Sequence, residues 1–225
     1  RLILTQEPTV FHGRAEESNL SLSWGLKAIH AREAWKVNRG SKDIVVAVID
    51  TGCDVHHPDL SRNIWNNLGE TGIDENGLDR ASNGLDDDGN GFTDDVHGWN
   101  FVADNADVTD EHGHGTHIAG VIGAGSSGIA PNVSLMILKY FDDNTSGEDN
   151  LRFTINAIHY AIQMGAQVIN YSGGGVLRSD EEREALREAS EKGIVVVAAA
   201  GNEGLNSAFF RFYPADYDPP NIVSV

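Results

Sequence analysis

Five short apolar runs, separated by stretches of helical periodicity, restrict this sequence more than any other feature. They are Ile44–Ile49 (IVVAVI), Ser134–Leu138 (SLMIL), Gln167–Tyr171 (QVINY), Ile194–Ala199 (IVVVAA) and Ile222–Val225 (IVSV). Unbroken, largely β-branched runs of this length suit strands buried on both faces, and alternation with helices is how a parallel sheet gains that cover. Between two of the runs, Leu151, Ile155, Ile158 and Ile162 recur at i, i+4, i+7 and i+11, which predicts a helix stopped by Gly165. A second helix is predicted to open on the capping box Ser179-Asp180-Glu181-Glu182 and to end at Lys192-Gly193. The expected fold class is α/β, a mostly parallel sheet flanked by helices on both faces. At 225 residues the chain has room for one sizeable domain.

One segment breaks the rhythm. Residues 66–110 are rich in Asp, Asn and Gly and read as a long loop inserted between a strand and a histidine segment. Loops of that length in a compact domain usually carry a function or an ion. Much of the chain's formal charge of -18, from 34 acidic and 16 basic residues, falls here. That excess argues against a nucleic-acid partner, because there is no basic footprint to neutralise phosphates. No run of apolar residues is long enough to span a membrane. The single cysteine, Cys53, rules out an intrachain disulfide framework and reads as a small packed residue.

Three segments carry residue types suited to chemistry. In Ile49-Asp50-Thr51-Gly52 a carboxylate ends a strand, the place where open parallel sheets build their sites. There is only one such D-T-G, which disfavours an aspartic protease, a class that needs two. In EHGHGTHIAG, residues 111–120, His112, His114 and His117 have a spacing that a zinc hydrolase could use. The same run could instead begin a helix bearing one general base, with His117 packed on an apolar helix face beside Ile118 and Val121. In Ala198-Ala199-Ala200-Gly201-Asn202-Glu203-Gly204 a strand runs into small residues and one amide, which could donate to a developing oxyanion or simply make a turn.

Together, VAVIDTG, HGHGTHIAG and AAAGNEG resemble the subtilisin-like serine protease (subtilase) family. The likeness extends to Ser23-Trp24-Gly25-Leu26, Ala34-Trp35, His57-Pro58-Asp59-Leu60, Gly128-Ile129-Ala130-Pro131, Val168-Ile169-Asn170 and Tyr213-Pro214-Ala215. It implies a subtilisin-like fold over residues 22–225, a partial catalytic domain, with residues 1–21 as an N-terminal extension. It implies a serine endopeptidase that cleaves polypeptides through an Asp-His-Ser triad. Asp50 would orient His114, His114 would act as the base, and Asn202 would serve the oxyanion. Ser172, Gly173, Gly174, Ala200 and Gly201 would line the substrate cleft, and Glu203 would favour a basic side chain next to the scissile bond. Gly173 stands where the family's S-L-G motif has a bulkier residue. The resemblance further implies a prodomain and export from the cell.

The family's G-T-S-x-A-x-P serine motif is absent from these residues. The chain is therefore expected to lack the C-terminal portion of the fold and to be inactive alone. A non-catalytic peptide-binding protein of the same fold is the alternative.

The acidic insertion predicts calcium. Asp86-x-Asp88-x-Asn90-Gly91 repeats the first half of an EF-hand-type loop, with Phe92 offering a carbonyl, Asp94 following, and Asp95 as the last carboxylate. Asp74, Asn76 and Asp79 make a second, weaker candidate. The calcium that many subtilases hold with the Asp of H-P-D-L is not expected, because the loop at 124–128 is short.

Overall fold

The computed structural model describes residues 24–204 and 209–225, so the N-terminal extension at 1–21 lies outside the described residues. Six strands form one parallel sheet: β1 (Val45–Asp50), β2 (Gly98–Asn100), β3 (Ser134–Lys139), β4 (Val168–Tyr171), β5 (Val195–Ala198) and β6 (Ile222–Ser224). Their order across the sheet is β2-β3-β1-β4-β5-β6, with every pairing parallel. The helices are α1 (Trp24–Ala28), α2 (Ala31–Trp35), α3 (His114–Gly123), α4 (Gly147–Gln163) and α5 (Asp180–Glu191).

The two faces of the sheet are covered separately, as period-two alternation requires. Ala47 and Ile49 of β1, Met136 and Leu138 of β3 and Ile169 of β4 pack with Ala157, Ile158 and Ala161 of α4 and with Leu186 of α5. Val46, Val48, Leu135 and Ile137 point the other way, onto Ala119 of α3. Each fully buried Ile or Leu of this kind contributes roughly 2 kcal/mol of burial free energy. With helices on both faces, the strands read as continuous apolar runs.

Three local features depart from expectation. The insertion is not an unbroken loop, since Gly98–Asn100 forms the edge strand β2. Three residues with no apolar run give no strand signal, and Gly98 is there for close approach. Its φ is 127°, and a Cβ would lie 1.9 Å from the Ile137 carbonyl oxygen. The buried face of α4 is also rotated from the expected stripe. Phe153, Thr154, Ala157, Ile158, Tyr160 and Ala161 are buried, whereas Leu151, Ile155 and Ile162 are only partly covered. Two aromatics and the small residues beside them set that face.

The capping box of α5 is only half formed. Ser179 accepts from the Glu182 N–H, but the Tyr217 hydroxyl accepts from the Ser179 N–H in place of Glu182. That hydroxyl donates to the buried Glu182 carboxylate at 2.9 Å. Burial pushes the Glu182 carboxyl up to about 7, although the Tyr217 hydrogen bond lowers it.

Candidate active site

Parallel strands put all their carboxyl ends on one edge of the sheet, and the segments singled out in the sequence converge there. Asp50 ends β1; Ser172 follows β4, the neighbour of β1; Ala199 to Asn202 follow β5, the neighbour of β4. Helix α3 begins at His114 and packs on β1 from one face.

Asp50 and His114 meet although 64 residues separate them. His114 Nδ1 lies 2.7 Å from Asp50 Oδ1, and both side chains are buried, with relative exposures of 5% and 2%. Asp50 Oδ1 also accepts the Thr51 N–H at 2.8 Å, which fixes the carboxylate plane. Nδ1 as the donor leaves Nε2 as the free lone pair of the neutral ring. That Nε2 is buried and has no hydrogen-bond partner among the described residues. The hydrogen bond that His114 donates to Asp50 raises the His114 pKa above its ordinary 6.5, burial opposes it, and the charges of Asp50 and Asp110 add to the rise.

Close approach of α3 to β1 depends on two glycines. A Cβ on Gly115 would fall 2.1 Å from the Gly52 carbonyl oxygen and 3.1 Å from Asp50 Cβ. Gly52 has φ 113°, and a Cβ there would be 2.6 Å from the Val108 oxygen. Any larger residue would push the imidazole off its carboxylate.

Two positioning residues escaped the sequence reading. Gly113, at the N-cap of α3, has no side chain to cap with, and Asp110 does the capping from three residues upstream. Its oxygens accept the N–H groups of His112, Gly113 and Thr116 and the hydroxyls of Thr51 and Thr116. Burial pushes the Asp110 carboxyl up, but the hydrogen bonds from Thr116, Gly113 and Thr51 outweigh it and hold it low. Thr51 Oγ1 in turn accepts the Gly115 N–H at 2.9 Å. The signal in sequence was an Asp just before a Gly-led helix start, which read only as the end of an acidic loop.

His112 and His117 are exposed. They correct two expectations: His117 is not packed into an apolar helix face, and the three histidines do not form a metal cluster among the described residues. Val121, one turn on from His117 and on its side of the helix, is itself 45% exposed, so that side of α3 faces solvent.

The cleft segments are placed in more detail than their sequence suggests. Gly175 and Tyr213 exchange two backbone hydrogen bonds, at 2.9 and 2.7 Å, so Tyr213 braces the strand after β4 from one side. Gly174 has φ 152°, and a Cβ there would be 2.3 Å from the Tyr213 oxygen. The absence of a side chain at Gly173 has a local cause: a Cβ would fall 2.2 Å from the Tyr140 hydroxyl, which is buried without a partner. Ser172 Oγ accepts from the Asn170 amide. Asn202 is exposed, and its N–H donates to the Glu203 carboxylate, which curls back over Gly201. Ala200 donates its N–H to the Val225 oxygen. Cys53 is buried, and its thiol is pushed up to about 12, chiefly by burial, so it is inert as a nucleophile.

In the insertion, the expected ligands do different jobs. The Asp86 carboxylate accepts the N–H groups of Gly89, Asn90 and Gly91, closing the loop on itself. Asp94 accepts the Gly84 N–H, and the Phe92 ring packs edge-on to Trp99 and Tyr160. Asp74 accepts from the N–H groups of Asn76 and Leu78, and Asp79 caps a short 3-10 turn at Arg80–Ser82. Of the first set, Asp88 and Asp95 come together, and the Asn90 amide donates to both. Among the described residues, the acidic side chains that do converge are Glu70, Asp88 and Asp95, with ligand oxygens all within 4.8 Å of one another. Glu70 stood alone in an Asn- and Gly-rich stretch and gave no signal. Asp59 is satisfied by Ser126, whose N–H and hydroxyl both donate to it.

Fold and site together define an α/β protein with a carboxylate-oriented histidine at the carboxyl edge of a parallel sheet. The chain belongs to the subtilase family, whose family model matches residues 41–225. It is 39% identical over 186 residues to the major intracellular serine protease of Bacillus subtilis (strain 168), covering 80% of this chain and 49% of that protein. Thermitase from Thermoactinomyces vulgaris is 33% identical over 203 residues, 88% of this chain and 60% of that protein. The crystal structure of fervidolysin from Fervidobacterium pennivorans, a keratinolytic enzyme related to subtilisin, aligns with a TM-score of 0.64 at 28% identity. That alignment covers 89% of this chain and 27% of fervidolysin. This chain spans about half the length of the curated relatives it matches. Their names include both intracellular and extracellular proteases, so kinship assigns no compartment. No helix among the described residues is long and apolar enough to cross a membrane.

Proposed function

We propose that this chain supplies the aspartate and the histidine of the triad of a serine endopeptidase acting on polypeptides. One observation carries the reading: a buried Asp50–His114 pair whose outward nitrogen, His114 Nε2, has no partner. Asp50 holds the proton on Nδ1 and stabilises the imidazolium. Nε2 takes the proton of a serine hydroxyl as that oxygen attacks the scissile carbonyl carbon. The carbonyl oxygen becomes an oxyanion facing the Asn202 amide. Collapse breaks the C–N bond, and His114 gives its proton to the leaving amine; water then repeats the sequence on the acyl-enzyme. The serine comes from outside these 225 residues, which contain no G-T-S-x-A-x-P motif.

The peptide lies extended between Ser172–Gly174 and Ala200–Gly201, adding a strand to backbone already ordered by the sheet. Glu203, exposed at the rim, favours a basic residue next to the scissile bond. A prodomain as folding partner, export from the cell and calcium belong to the same reading. The insertion's donors are carboxylates and amides, a set that fits a hard cation, which supplies a fixed positive charge and no chemistry.

The test uses the protein completed with its serine-bearing segment. His114→Ala is expected to lower kcat by at least about 10⁴-fold, a scale taken from subtilisin, a relative, and from other triad enzymes. Full activity in that variant overturns the mechanism. Because the working base is neutral, kcat/KM is expected to fall with decreasing pH through a value above 6.5.

A further inference from the structure

The insertion carries a buried carboxylate that the proposed chemistry does not use. Glu70 is fully buried. Its Oε1 accepts the N–H groups of Asp87 and Asp88 at 2.7 and 3.2 Å, while Oε2 is buried with no partner among the described residues. It converges with Asp88 and with Asp95, which is also fully buried. Asp95 is locked in place by Tyr160 of α4, by Asn67 at 2.7 Å and by Asn90 at 2.9 Å. Arg80 is the only Lys or Arg between residues 66 and 110, and it pairs with Asp87, outside the trio.

We propose that Glu70, Asp88 and Asp95 form the seat of a structural calcium ion, and that Asp86 is the loop's backbone cap and not a ligand. The inference rests on the calcium reading above, keeps Asp88 and Asp95 from its ligand set and adds Glu70. An ion with metal–oxygen distances of about 2.4 Å holds opposed ligands roughly 4.8 Å apart, so one calcium reaches all three carboxylates. Two of the three are inside the protein, where like charges this close are compatible only with a counter-charge between them or with a proton. Burial pushes both the Glu70 and the Asp95 carboxyls up, Glu70 against its two backbone hydrogen bonds and Asp95 against those from Tyr160, Asn67 and Asn90. Asp88, the exposed member, opens the seat to solvent and gives an ion its way in. Through Tyr160 the seat is joined to α4, so an ion there ties the insertion to the helix layer of the core.

The test measures calcium binding and thermal unfolding on the full-length, EDTA-treated protein, without reference to activity. Calorimetric titration with calcium chloride is expected to show binding, and a hundredfold excess over Kd is expected to raise Tm by about 5 °C. Glu70→Gln keeps the backbone acceptor and the shape but loses the charge. It is expected to bind at least tenfold more weakly and to lose most of the Tm rise, as is Asp88→Asn. Asp86→Asn is expected to retain both. If Asp86→Asn loses binding while Glu70→Gln keeps it, the seat is overturned and calcium in the insertion survives. If the wild-type protein shows neither heat nor Tm shift, both readings fall. Should Glu70→Gln fail to fold, Asp88→Asn, on the exposed side, carries the decision.

Discussion

The strand-end site and the acidic insertion both bury carboxylates, and they meet the cost in opposite ways. At the sheet edge the acids face donors: Asp50 Oδ1 takes an imidazole and a backbone N–H, although its Oδ2 is buried with no partner among the described residues, and the half-buried Asp110 takes three N–H groups and two hydroxyls. In the insertion, Glu70 and Asp95 face each other and Asp88 across a gap of under 5 Å. The first arrangement sets each carboxylate against donors of the protein itself. The second is complete only with a cation or a proton. A buried acid inside a hydrogen-bonded set orients chemistry, whereas a buried acid among its own kind invites a ligand.

Glu182 stands between the two types, buried against one phenol, and sharpens the comparison most. Its folded-state carboxyl titrates near 7 against an ordinary 4.5, so between those values the folded protein binds more protons than the unfolded chain. Stability should therefore fall by about 3 kcal/mol as pH rises from 4.5 to 7. Glu182→Gln should flatten that decline in urea-denaturation series; an unchanged slope would show that Tyr217 alone suffices as partner. Glycines separate the regions next. Gly115→Ala at the site should cost about 2 kcal/mol and most of the peptidase activity, because its Cβ meets the Gly52 backbone. Gly89→Ala in the insertion, with open space but φ 73°, should cost about 1 kcal/mol and leave activity intact. The smallest effect is expected of Asp110→Asn, which removes a charge that raises the His114 pKa. The acid limb of kcat/KM should move to lower pH; movement the other way would mean that Asp110 acts only by holding the helix.

Legibility in the sequence followed the same divide. Runs such as IVVAVI announced their strands because burial on two faces leaves no choice of residue type. Asp50 and His114 were readable because each sits in a motif of fixed local shape, a strand end and a helix start. Edge strand β2 was not, since Gly98-Trp99-Asn100 owes its pairing to a glycine contact with Ile137 and not to apolar content. The calcium-type loop pattern pointed to a segment where carboxylates do converge, yet pattern alone could not tell that Asp86 spends its oxygens on the backbone. Nor could it bring in Glu70, which reaches Asp88 from 18 residues away. His117 misled because an apolar neighbour in sequence is not an apolar neighbour on a helix.

The sequence distances inside the two networks also govern how the chain acquires them. Asp50 and His114 are 64 residues apart, and Asp95 and Tyr160 are 65 apart. The second span starts inside the first, so the two closures overlap in sequence. The entropy of both closures is lost before either hydrogen bond returns anything, which places them late in folding. An unfinished chain of this kind would have much of its sheet before Asp50 and His114 were paired, so the site is among the last parts to form.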